Sequence, residues 1–229
     1  MVTTLYLVRH GETEGSDAKR YKGSIDVPLS EKGIRQVEQA SLFIAEHLRN
    51  SSLSRHQSYL RDVHRDAFDT GEEHEGLKAV YTSDLSRAVK SGEIIAVPHR
   101  IIPESIPELR ERNFGIWEGM NFIEIREQYP KEFKAWADSP VKFSPEGGES
   151  TYEVKKRVLR AMKDILSAHR GNTIAVVAHG GVNRVMLCHI MGMPLNNIFR
   201  IEQDFAAVNV IEFWGDTPVV KLMNGGGHG

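Results

Sequence analysis

The chain opens with a compact apolar run, Leu5–Val8, that drives straight into Arg9, His10 and Gly11. Successive apolar residues closed by a glycine predict a buried strand ending in a turn. From Glu31 to Leu48 the spacing becomes helical. Ile34, Val37, Ala40/Ser41, Ile44/Ala45 and Leu48 share one face, with Ser30 placed to cap the first turn. Ala79–Leu85 reads as a strand, followed by a helix that Ser83 caps and that ends near Ala96, ahead of Pro98. A short strand is expected at Arg100–Ile102. Ser150–Arg170 predicts a long amphipathic helix with Val154, Val158, Met162, Ile165 and Leu166 inward. Thr173–Gly181 repeats the opening pattern, an apolar strand running into His179 and Gly180, and a helix follows from Val182 to about Met191. Ala206–Trp214 and Pro218–Leu222 read as a closing pair of strands.

Strands alternating with helices predict an α/β three-layer sandwich, a mainly parallel central sheet with helices on both faces. Ligands of such sheets sit beyond the carboxyl ends of the strands. His10, His179 and Arg87 all fall there. Two stretches interrupt the alternation. A polar insertion at about 49–76 is expected at the far end of the sheet from the pocket, with Leu53, Leu60, Val63 and Ala67 spaced for a short amphipathic helix. The second stretch, about 112–149, carries Phe114, Trp117, Phe122, Tyr129, Phe133, Trp136 and Phe143 and is placed to fold over the pocket as a short lid. Its aromatics are expected mainly to pack on one another. The whole of 1–229 is read as one domain.

Composition narrows the function. With a formal net charge of −2, nothing advertises a nucleic-acid or membrane surface, so any cationic site is local. The single Cys188 excludes an intramolecular disulfide, fits a reducing compartment and is expected to be an inert buried thiol. A cytoplasmic protein is expected. His47, His56, His64 and His74 cluster around the insertion, but their spacing does not stack pairs on one helical face and no thiolate lies among them. They are read as a solvated surface, compatible with a homodimer, rather than as a metal site.

Two guanidiniums and two imidazoles (Arg9, Arg87, His10, His179) converging at strand ends make a site for a dianion. Gly11 and Gly180 let the backbone approach closely. Imidazole attacks only through an unprotonated nitrogen, and flanking guanidiniums disfavour imidazolium, which suits His10 to act as nucleophile. Glu111 is the candidate acid, with Glu108 and Glu118 as competitors.

The blocks "RHGETE", "GSIDVPLSEKG", "SDLSRA", "ELRERNFGIWEG", "PEGGES" and "VAHGGVNR" follow one another in an order that resembles the histidine phosphatase superfamily, which includes the cofactor-dependent phosphoglycerate mutases. The resemblance implies a phosphoglycerate mutase-like fold and a phosphohistidine mechanism on His10, with Arg9, Arg87 and His179 holding the phosphate. Glu111 would be proton donor to the leaving oxygen and later the base for water. It also implies that Ser16, Lys22, Gly23 and Gly180 lie at the substrate, with no metal and no cofactor. Where the family often has Trp-Asn, this chain has Gly15 and Ser16, whose reach is shorter. The short lid and the block "AHGGVNR" look like the phosphatase branch, near alpha-ribazole and broad-specificity phosphatases. Hydrolysis of a small phosphorylated metabolite is therefore expected. A bisphosphoglycerate-dependent mutase and an inactive phosphate-sensing module are the alternatives.

Overall fold

The computed structural model describes residues 1–50 and 76–226. The expected insertion helix, His56, His64 and His74 therefore lie outside the described residues. A six-stranded sheet organises the chain, built from β1 (Val2–Arg9), β2 (Ala79–Thr82), β3 (Glu104–Ser105), β4 (Thr173–Ala178), β5 (Val208–Trp214) and β6 (Thr217–Gly225) in the order β3-β2-β4-β1-β5-β6. The first four positions run parallel, β5 runs antiparallel to β1, and β6 turns back antiparallel to β5.

Alternation along the buried strands sends side chains to two separate cores. Leu5, Leu7, Ile174 and Val176 pack on α5 (Thr151–Ala168) and α6 (Gly180–Ile190) through Val158, Met162, Ile165 and Val185. Tyr6, Val8, Ala175 and Val177 pack on the opposite face against α1 (Glu31–Asn50) and α2 (Ser86–Ala96), through Val37, Ile44, Ala88 and Ile95. This is the expected three-layer arrangement. Central strands buried on both faces read as continuous apolar runs, which is why β1 and β4 stand out in the sequence. Among the described residues no helix is long and apolar enough to cross a membrane.

Three local expectations shift. No strand forms at Arg100–Ile102. Arg100 takes a left-handed conformation (φ 56°) to close the turn Val97–His99, and pairing waits until Glu104, beyond Pro103. Ser83 does not cap α2, whose N-cap is Leu85, and its hydroxyl turns elsewhere. The helix after β4 begins at Gly180, directly beyond His179, rather than at Val182. Between α2 and α5, the stretch over the strand ends forms α3 (Phe122–Gln128) and α4 (Pro130–Asp138). Asn121 caps α3 in a reciprocal box with Glu124, and Pro130 opens α4.

Candidate active site

The parallel register brings the chemistry together. Arg9 stands opposite Ala178, and Thr82 opposite Val177, so the residues leaving β1, β4 and β2 are neighbours in space. His10 N–H donates to the Ala178 carbonyl at 3.0 Å. The rings of His10 and His179 meet edge-on with centroids 5.0 Å apart. Both imidazoles are buried, as is Arg87. Gly11 is required because a Cβ there would overlap the Gly33 carbonyl in the first turn of α1.

His10 Nδ1 lies 2.7 Å from the Gly11 carbonyl. A carbonyl only accepts, so Nδ1 carries the proton and Nε2 keeps its lone pair. Burial, then the Arg9 and Arg87 guanidiniums, hold His10 well below the ordinary imidazole range. His179 is lowered in the same direction, again chiefly by burial, then by His10, Arg87 and Arg9. Its Nε2 meets the Ser83 hydroxyl at 2.7 Å, and its Nδ1 has no partner among the described residues.

Arg9 is fixed by a bond to the Gln203 carbonyl at 2.6 Å and by Phe205, whose ring lies 3.9 Å from the guanidinium carbon. Burial lowers Arg9 to about 10, so it remains a cation at neutral pH. Its Nε has no partner among the described residues. Arg87 donates to the carbonyls of Lys22, Gly23 and Ile25 at 2.8–2.9 Å. The Glu118 carboxylate takes the amides of Gly23 and Ser24 from the other side, at 3.0 and 2.8 Å. The loop at 22–25 is thereby strung between a guanidinium and a carboxylate.

Glu111 projects into the same cavity. Its oxygens accept from the amides of Arg112 and Gly181, both at 2.8 Å. Of its competitors, Glu118 is engaged by the loop at 22–25 and Glu108 is exposed on a turn. Arg157 fixes the segment carrying Glu111. It donates to the carbonyls of Glu108, Arg110 and Glu111 while paired with Glu149 at 2.8 Å.

The cavity encloses about 520 Å³, with Arg9, His10, Arg87, Glu111, Ser16, Lys22 and Gly180 on its wall. Ser16 reaches it while bonded to Thr13, and Lys22 while its ammonium meets the Glu14 carbonyl. Gly23 and His179 are not on the wall: the amide and carbonyl of Gly23 serve Glu118 and Arg87, and His179 is fully buried against the His10 ring. The aromatics Phe114, Trp117, Phe122, Phe133 and Trp136 line the cavity, so they do more than pack on one another. Phe205 and Gln203 carry no local sequence signal and are recognised only once the chain is folded, and Ser83, read as a helix cap, proves to be the partner of His179.

A neutral imidazole with a free nitrogen, two buried guanidiniums and a carboxylate facing one cavity can take a phosphoryl dianion, attack it and protonate what leaves. Comparison with known proteins agrees on the family. A model described as histidine phosphatase superfamily (branch 1) matches residues 5–66 and 64–225. The chain belongs to the histidine phosphatase superfamily. Within it, phosphoserine phosphatase 1 of Hydrogenobacter thermophilus is 30% identical over 220 residues, spanning 96% of this chain and 91% of the relative. The metal-independent phosphoserine phosphatase of Arabidopsis thaliana is 33% identical over 223 residues, spanning 94% of this chain and 82% of the relative. The solved structure of Bacillus stearothermophilus YhfR superposes with a TM-score of 0.78 at 29% identity, covering 99% of this chain and 98% of that one. The superfamily's phosphoglycerate mutase-like architecture is therefore the fold observed.

Proposed function

We propose that this member of the superfamily is a phosphomonoesterase that works through a phosphohistidine on His10, without a metal. The observation that carries the reading is the state of His10. Its Nδ1 proton is held by the Gly11 carbonyl, and its ring is kept neutral by burial beside Arg9 and Arg87. The relatives named as phosphoserine phosphatases, one of them metal-independent by name, support phosphomonoester hydrolysis.

In the first step the His10 Nε2 lone pair attacks phosphorus in line with the ester oxygen. The N–P bond forms as the P–O bond breaks, and Glu111 gives its proton to the departing alkoxide. Arg9, Arg87 and the unpartnered Nδ1 of His179 hold the equatorial oxygens while charge spreads over them, the kind of fixed electrostatics that dominates phosphoryl transfer. In the second step Glu111 takes a proton from water, whose oxygen attacks phosphorus and restores Nε2. Small phosphorylated metabolites are the substrates and the cytoplasm is the compartment in this reading.

The test is a metal-free assay with p-nitrophenyl phosphate in chelator, beside an assay of 3-phosphoglycerate with 2,3-bisphosphoglycerate. Phosphate release from the first without isomerisation in the second is expected. Isomerisation alone would make the protein a mutase, and neither activity would make it a phosphate-binding module. Rapid quench with labelled substrate should trap acid-labile phosphate on the wild type and none on His10→Ala.

A further inference from the structure

Beyond the phosphate cage the cavity wall changes character. Phe122 on α3 meets Phe133 and Trp136 on α4 with centroids 5.0 and 6.1 Å apart, and Phe133 meets Trp136 at 5.5 Å. All three rings line the cavity. Phe122 remains exposed and the other two only half-buried, so the cluster has a face that none of the described residues covers. The capping box at Asn121 and Pro130 at the head of α4 fix the helices that carry it. A volume of about 520 Å³ suits a molecule of drug size.

Charge on the remaining wall decides what the rings receive. Among the described lining residues Glu111 is the one carboxylate, and both its oxygens already accept backbone amides. Lys19, Arg20, Lys22, Arg112 and Arg184 line the cavity outside the phosphate cage. Glu124 answers Arg20, Glu202 answers Arg184 and Glu149 lies near Arg112, while Lys19 and Lys22 pair with no carboxylate among the described residues. An aromatic cluster can hold a cation, but a net positive wall opposes one, and no free carboxylate meets an ammonium. A neutral planar group stacks on the rings with no such penalty.

We infer that the leaving alcohol of the substrate carries an uncharged aromatic ring, held by Phe122, Phe133 and Trp136, and that choline phosphate, whose leaving alcohol is a cation, is not the preferred substrate. This rests on the phosphomonoesterase reading and specifies its substrate class. The ring is bound alike before and during the chemistry, so the preference appears in KM more than in kcat.

The experiment compares 2-phenylethyl phosphate with ethyl phosphate, whose leaving alcohols differ little in basicity, and adds O-phosphoserine and phosphocholine. The phenyl substrate should lead ethyl phosphate by roughly tenfold or more in kcat/KM through a lower KM, with the other two below it. Phe133→Ala and Trp136→Ala should each move that ratio toward one, and Trp136→Phe should keep most of it. Equal values for phenyl and ethyl, a lead for phosphoserine or phosphocholine, or a ratio unmoved in both alanine variants would overturn the inference while leaving hydrolysis intact. If no ester is cleaved, the hydrolase reading fails. Binding of 2-phenylethylphosphonate against ethylphosphonate then decides the inference alone: tighter phenyl binding sustains it and equal binding ends it.

Discussion

At the scale of single residues, hydrogen-bond bookkeeping assigns protons. Nδ1 of His10 faces a carbonyl and must donate. For His179 the partner of Nε2 is the Ser83 hydroxyl, which also takes the Leu85 amide at 3.5 Å. A hydroxyl accepting from an amide is free to donate to Nε2, which leaves the proton of a neutral ring on Nδ1, where a phosphoryl oxygen can receive it. Ser83→Ala should therefore weaken inorganic phosphate binding by about 10-fold, the worth of one hydrogen bond to a charged group. Nitrogen NMR of labelled His179 should show Nδ1 protonated in the wild type and a mixture of tautomers in the variant. An unchanged spectrum would leave Ser83 without this role. Glu111→Gln is the complementary test. Ethyl phosphate, with a basic leaving group, should slow by ~10²–10⁴, and p-nitrophenyl phosphate far less. Equal losses would remove Glu111 as the proton donor.

At the scale of elements, the sequence makes legible what repeats. An apolar run ending in His-Gly occurs twice, at β1 and β4, and the two strands prove to be adjacent, parallel and in register, so the two imidazoles meet. Arg87 was readable for the same reason, since it sits one residue into the helix beyond β2. Ser83 looks like a helix cap in the sequence because local spacing cannot report that β2 lies beside β4. Phe205 and Gln203 come from the connection into β5, far along the chain from Arg9, and only tertiary folding brings them there. Arg100–Ile102 failed as a strand because a left-handed residue closes a turn within it, a backbone choice that apolar content does not encode. The α5–α6 side holds another element-level device. A Cβ on Gly181, in the first turn of α6, would overlap the Glu111 carboxylate. The obstructed group is the end of a side chain, so Gly181→Ala should fold normally and push Glu111 aside. A loss of about 10²-fold in kcat for ethyl phosphate is expected, with the thermal midpoint close to wild type. A fall in midpoint with kcat preserved would show that the glycine serves packing instead.

Over the whole molecule, a site built from buried neutral imidazoles ties stability to pH. His10 and His179 are buried and both lie well below their ordinary value, chiefly through burial. His47 and His99 are lowered in the same direction by partial burial. The unfolded chain takes up protons on these rings as pH falls through about 6.5, while the folded chain does not. The unfolded state then binds more protons, so stability is whole above that pH and declines below it. Each of the two site rings contributes a slope of up to about 1.4 kcal/mol per pH unit once the unfolded form is charged. Urea unfolding between pH 7.5 and 5.5 should show the midpoint falling on the acid side, and replacing both site rings with glutamine should flatten that fall. A phosphate dianion placed among Arg9, Arg87, His10 and His179 would favour the charged rings that burial resists. Saturating inorganic phosphate should therefore stabilise the protein at every pH and also reduce the acid slope. A slope untouched by phosphate would mean that the anion binds away from the two rings, and the proposed cage would be misplaced.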